Sequence, residues 1–312
     1  MYARIIANLH SGGGHSQDDL EQLIKARKKL HQQGWRVEIC QTDCAGSASR
    51  LAAQAAAAGV DVVISAGGDG TLNEVIQGLA GTDVALGVLP MGTMNVWARE
   101  VGIPLNLEGA LEVLLNGEHR RMDLGNVNGR YFLLFAGIGA DGKITSMIEH
   151  HFLKRLGLFS YIIAGAVVGL GPLDFHLRLR IDGRSFRTRA SLVIIGNTRL
   201  YGGLMTFTNR AYGDDGLLDM CLVRRQGLFG RLRVVLNAFR RHYPLGARVS
   251  YERFHTVTID SPLQVPIQVD GEPAGTLPAV FRVAPQMLTV IVPRNTTAGL
   301  FRKSKTPPQP GG

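Results

Sequence analysis

The sequence predicts an α/β doubly wound N-terminal domain followed by a C-terminal β-rich sandwich domain with inserted helices. Three observations carry that expectation. Up to about residue 125, runs of β-branched residues alternate with segments of helical period. A glycine-rich turn, Ala66-Gly67-Gly68-Asp69-Gly70-Thr71-Leu72, joins one such strand pattern to one such helix pattern. After Asp123 short strand-like pieces take over, punctuated by Asp182-Gly183, Asp215-Gly216 and Asp270-Gly271.

Taken in order, residues 4–9 form a strand and 18–33 a helix, with Ser16 as its cap. A second strand covers 35–40, and an Ala-rich helix 47–58. The run Asp61-Val62-Val63-Ile64-Ser65 lies in a third strand over 60–65, followed by a helix over 72–79. A strand over 84–89 stops at Pro90, and 95–101 and 107–115 are helical. Strands are then expected at 131–135, 176–181, 188–195, 217–222, 256–259, 265–269, 280–284 and 288–292, with helices around 138–170 and 228–242. The domain limits fall at 1–123 and 124–292. The stretch near 293–302 returns to the first domain, and 303–312 has the composition of a disordered tail.

Composition narrows the function classes. Hydrophobic residues at 45% and charged residues at 19% describe a globular chain. Three cysteines exclude a disulfide framework, and Cys40 and Cys44 lack a second pair for a zinc site. No signal-peptide pattern opens the chain, so a reducing cytoplasm is the expected location. No residue between Arg155 and Asp174 is charged, but Gly157, Gly165, Gly169, Gly171 and Pro172 interrupt the stretch. It reads as a buried or groove-lining helix, not a membrane span. The net charge of +9 favours anionic partners. No nucleic-acid module accompanies the basic clusters, which leaves lipid or nucleotide phosphate as the expected partner.

The Gly67–Thr71 loop frees backbone N–H groups for a phosphate. Asp69 would repel a bare anion, and it makes sense where a divalent metal or a hydroxyl is also held. Asn8 through Gly14 forms a second glycine turn after the first strand. Pro90-Met91-Gly92-Thr93-Met94-Asn95 forms a third, expected to face the first loop across the switch-point crevice. Asp214-Asp215-Gly216-Leu217-Leu218-Asp219 reads either as a hard-cation site or as a polar turn. Val269-Asp270-Gly271-Glu272 reads as a general base at a strand end or as a solvated turn.

In their order along the chain these motifs resemble the diacylglycerol kinase catalytic-domain family, which includes bacterial lipid kinases, sphingosine kinases and ceramide kinases. The matching residues are Asn8-x-x-Ser11-Gly12, Gly67-Gly68-Asp69-Gly70-Thr71-x-x-Glu74 and Pro90-x-Gly92-Thr93-x-Asn95-x-x-Ala98-Arg99, then Asn197 with Gly202-Gly203, Asp215-Gly216-Leu217 and Asp270-Gly271-Glu272. The Gly-Gly-Asp-Gly element alone is shared with NAD kinases and phosphofructokinases. The resemblance implies an active site in the cleft between an ATP-binding domain and a lipid-substrate domain. It implies ATP contacts at Asn8, Ser11, Gly12, Thr42, Gly67, Gly68, Asp69, Gly70, Thr71, Leu72, Asn73, Thr93 and Asn95. It also implies a Mg²⁺ site built from the Asp215 side chain and the carbonyls of Tyr212 and Leu217. Catalysis falls to Glu272 or Asp270, with Asp69 holding a catalytic Mg²⁺ or its water shell.

The sequence departs from the family's pattern at Leu9, where the family often has proline, and at Leu204, the third position of a Gly-Gly-Gly motif. It departs again at Val96, where many members carry an acid. The implied activity is ATP- and Mg²⁺-dependent phosphorylation of a hydroxyl on diacylglycerol or a related membrane lipid. The implied protein is cytoplasmic and associates peripherally with an anionic membrane, on which the basic amphipathic stretch 227–241 would lie. Two alternatives stand beside it: a kinase of a soluble substrate such as NAD, and a non-catalytic lipid- or nucleotide-binding protein.

Overall fold

Runs rich in Val, Ile and Ala that are apolar on both faces belong in the middle of a parallel sheet. The computed structural model, which describes residues 1–9, 16–139, 174–203, 205–224, 227–240, 248–294 and 299–302, places them there. Strands β1 (Tyr2–Ala7), β2 (Arg36–Gln41), β3 (Val62–Gly67) and β4 (Ala85–Pro90) pair in parallel in the order β2-β1-β3-β4. Helix α1 (Ser16–Gln32) carries Asp18 and Asp19 in its first turn and Lys29 and His31 in its last, matching the helix dipole. It packs with α5 (Leu107–Asn116), while α2 (Ser47–Ala57) packs with α3 (Asp69–Leu79). Gly78 makes the second contact close, since a Cβ there would sit 2.3 Å from the Ser49 carbonyl oxygen. The short helix α4 is Val96–Val101.

Beyond α5 the chain builds two facing sheets. Strands β5 (Glu118–Val127) and β6 (Arg130–Phe132) form a hairpin, and β7 is Phe135–Gly139. The remaining strands are β8 (Phe175–Ile181), β9 (Arg184–Ala190), β10 (Leu192–Gly196), β11 (Leu200–Tyr201), β12 (Met205–Thr206) and β13 (Leu218–Val223). Helix α6 (Leu228–Phe239) precedes β14 (Val249–Phe254), β15 (Thr256–Asp260), β16 (Pro266–Val269), β17 (Glu272–Thr276) and β18 (Ala279–Val292). One sheet has the order β14-β13-β10-β7-β16-β17. It closes a second core of Phe132, Ile138, Leu177, Leu179, Ile195, Val257 and Phe281 against β18, β15 and β8.

Strand β18 belongs to both halves. Its first residues pair with β15, and Thr289 and Val290 pair in parallel with Ala85 and Leu86 of β4. The expected break between 284 and 288 is a β-bulge within this one strand, where Gln286 takes φ +54°.

Other differences have local causes. β5 and β14 were not expected as strands because their polar residues mask the alternation, β17 because Pro273 and Gly275 interrupt it, and β11 and β12 because each has two residues. The strand expected over 188–195 divides at Ser191, with β9 entering one sheet and β10 the other. Ile138 and Gly139 end β7 instead of opening a helix. The rest of that expected helix, Arg241 and His242 of the other, and the tail from Lys303 lie outside the described residues. No described helix is long and apolar enough to cross a membrane.

Candidate active site

The chain runs from β1 outward to β2 and returns on the other side of β1 to β3, so the topological switch lies between β1 and β3. Their carboxyl ends meet where the Asn8 N–H donates to the Ala66 carbonyl at 3.0 Å. Thr42 leaves β2 at the same edge, its hydroxyl donating to the Ala7 carbonyl at 3.3 Å. The Gly92 turn was expected across the crevice. It is instead the lateral neighbour of the Gly67 loop, because β4 pairs directly with β3 and the Met91 N–H donates to Gly67.

The two turns touch through their glycines. A Cβ on Gly92 would lie 2.4 Å from Gly68 Cα, and one on Gly67 would lie 2.6 Å from Thr71 Oγ1. Asn95, at φ +47°, closes its turn by accepting from the Gly92 N–H and donating to the Gly92 carbonyl at 2.7 Å. Helix α3 begins directly at the loop, where its first N–H groups have no intrahelical acceptors and its dipole favours an anion. The Thr71 hydroxyl is buried without a partner among the described residues. Leu72 lies in the core, so only its backbone can meet a ligand, whereas the Thr93 side chain is exposed. A glycine floor, open N–H groups and an unused hydroxyl fit the phosphates of a nucleotide.

Asp69 is turned away from that floor. Its carboxylate accepts from the Trp97 N–H at 3.3 Å, at the start of α4. Burial raises its pKa against the N–H groups of Val96 and Trp97, which favour the anion. It therefore ties the two turns together. Val96 is itself buried.

The tip of the β16–β17 hairpin comes to the same place. Asp270 and Gly271 both have positive φ and form its two-residue turn. The Asp270 carboxylate accepts four bonds, from the N–H groups of Leu133, Leu134 and Phe135 and from the Asn73 amide at 2.8 Å. Burial pushes its pKa up to about 6 against those four donors. Glu272 is differently placed. Its side chain is 41% exposed and pairs with Arg130, whose guanidinium also donates to Asn73 Oδ1 at 3.1 Å. A Cβ on Gly70 would lie 3.2 Å from Glu272 Oε1, so this carboxylate stands against the first turn of α3. Arg130 escaped the sequence reading. Its one signal is its place directly after Asn128-Gly129, a hairpin dipeptide.

The third group of expected residues belongs to a separate cluster. The Gly213 N–H donates to Leu300 and its carbonyl accepts from Asp123, while the Gly216 N–H donates to the Asp123 carboxylate at 2.7 Å. The Asp215 side chain is fully buried and paired with Arg253. Ser11 and Gly12 lie outside the described residues.

Comparison with known proteins agrees with this layout. Residues 2–127 match the diacylglycerol kinase catalytic domain, and 135–292 match the YegS C-terminal NAD kinase beta sandwich-like domain. A diacylglycerol kinase of Bacillus subtilis (strain 168) is 31% identical over 94% of this chain and 96% of its own. One from Staphylococcus aureus (strain MRSA252) is 32% identical over 94% and 93%. A crystal structure of a diacylglycerol kinase from Bacillus anthracis superposes with a TM-score of 0.73 at 23% identity, over 95% of this chain and 98% of that one. With its α/β and β-sandwich halves meeting at one carboxylate-bearing hairpin, this chain belongs to the diacylglycerol kinase family.

Proposed function

We propose that this protein transfers the γ-phosphoryl group of ATP to a hydroxyl of diacylglycerol or a closely related membrane lipid, with Glu272 as general base. The observation that carries the reading is the position of Glu272, against the first turn of α3 and beside the glycine floor. Phosphoryl transfer needs an anion cradle, an in-line acceptor and a base oriented on the attacking hydroxyl. The Gly67–Thr71 N–H groups supply the cradle. Arg130 holds Glu272 in place, Asn73 accepts from Arg130, and Asp270 holds Asn73. ATP with its divalent cation supplies the transferable group when bound. Asp270, with four donors already on its two oxygens, positions the hairpin. Asp69 does the same for the two turns.

The experiment is Glu272→Gln, which keeps the shape of the side chain and removes its basicity. Turnover falls about a hundredfold or more while ATP affinity by calorimetry stays near that of the parent. Unchanged turnover removes Glu272 from the chemistry.

A lipid substrate also requires a surface that meets the bilayer. Helix α6 presents Phe229 (86% exposed), Arg233, Leu236 (53% exposed) and Arg240 at three- and four-residue spacings on one face. Apolar residues between cations on one helical face suit the interface of an anionic membrane. The outer face of β8–β9 adds Arg178 directly opposite Arg187 and His176 opposite Arg189. Like charges directly opposite cost a sheet stability; Asp260 lies 3.7 Å from Arg178 and Asp174 3.3 Å from Arg189, and an anionic surface would add to that compensation. Phe229→Ser with Leu236→Ser lowers co-sedimentation with phosphatidylglycerol vesicles; equal sedimentation would remove α6 from this role.

A further inference from the structure

The Asp215 turn is the place where the resemblance implies Mg²⁺, and its residues do not fit that ion. Asp215 Oδ1 accepts from the Leu217 N–H at 3.2 Å, while Oδ2 is paired with Arg253 and lies 3.5 Å from Arg302 Nη2. Arg253 sits directly opposite Asp219 across β13–β14, and its Nε lies 3.4 Å from Asp219 Oδ1 without a hydrogen bond, so its pairing is with the fully buried Asp215 and only its charge reaches Asp219. Arg302 adds its backbone N–H to Asp214 at 2.9 Å and stacks its guanidinium 5.0 Å from the Tyr212 ring centroid. Arg199 stacks on the same ring, also at 5.0 Å. Asp214, Asp215 and Asp219, with Asp123 on the Gly216 N–H, thus lie among the guanidiniums of Arg199, Arg253 and Arg302. Mg²⁺ needs oxygen ligands in a near-octahedral arrangement, and at Asp215 it would meet the positive charge of Arg253 and Arg302, both already beside Oδ2.

We propose that Arg253, backed by Arg302, is the resident cation of this turn: it neutralises Asp215 and clamps 212–217 onto β14 and the 299–302 segment, so that the β-rich half folds without a divalent ion. This role is separate from any divalent cation that accompanies a nucleotide, and it does not depend on the reaction assigned above. A lost Arg253 guanidinium leaves the buried Asp215 carboxylate with only Arg302 at 3.5 Å, which is the costly way to break a buried pair.

The test is thermal unfolding of the full chain without nucleotide, in EDTA, in MgCl₂ and in CaCl₂, with metal content measured after dialysis. The parent keeps one Tm in all three and holds no stoichiometric divalent metal. Arg253→Met lowers the Tm by about 10 °C, and Mg²⁺ restores part of that loss. Should Arg253→Met not fold, the double variant Arg253→Met with Asp215→Asn, which removes both charges of the pair, recovers soluble protein. A parent that loses stability in EDTA and regains it in MgCl₂ overturns the proposal. So does an Arg253→Met variant with the parent's Tm.

Discussion

Asp270 and Glu272 lie two residues apart yet stand in opposite situations. Asp270 is enclosed and meets four N–H donors, whereas Glu272 is half-exposed and meets one guanidinium and the α3 turn. Asp270→Asn puts an amide where three backbone N–H groups need an acceptor, and should destabilise the fold by about 3 kcal/mol in urea unfolding. With its pKa at about 6, Asp270 is a carboxylate above that pH and a neutral acid below it. Turnover should therefore fall as the pH drops through about 6, with the limb moved or lost in Asp270→Asn. A flat profile down to pH about 5 would contradict the positioning role. The pair itself was legible in the sequence. Its division of labour was not, because the donors that enclose Asp270 come from the bend joining β6 to β7, Leu133 to Phe135, and from Asn73 of α3, far away in the chain.

The glycine turns behave as one element assembled from two. Gly92→Ala sets a Cβ against the Gly68 backbone at 2.4 Å, where nothing can give without moving the floor. Its kcat/KM for ATP should fall about a hundredfold. Gly70→Ala meets only the end of the Glu272 side chain at 3.2 Å and should cost a few-fold. Equal effects would mean that the contact between the turns is unimportant. β3 and α3 were readable because an apolar run followed by glycines has few other solutions. The lateral contact between the turns was not, since it follows from the pairing of β4 with β3. β5 and β14 were missed for a related reason. The charges of β5 are paired off the ladder, Arg120 with Glu118 and Arg121 with Asp83, and Arg253 of β14 pairs with Asp215 just ahead of β13, where a linear reading sees only polarity.

At the scale of the molecule, β18 runs from the sandwich into the parallel sheet of the first half and makes the two halves one body around the site. Its bulge at Gln286, bonded to Asp123, lets one strand follow both sheets. On the proposed reading the net charge of +9 draws this body to anionic membranes, an attraction that salt should weaken steeply. Vesicle binding that ignores ionic strength would contradict that picture. Lipid kinase activity itself is tested most directly by incubating the protein with γ-labelled ATP and Mg²⁺ in mixed micelles containing diacylglycerol, with NAD as a parallel acceptor. The label should enter a lipid phosphate, and Glu272→Gln should abolish that transfer. Label appearing only in phosphorylated NAD or in inorganic phosphate would contradict it.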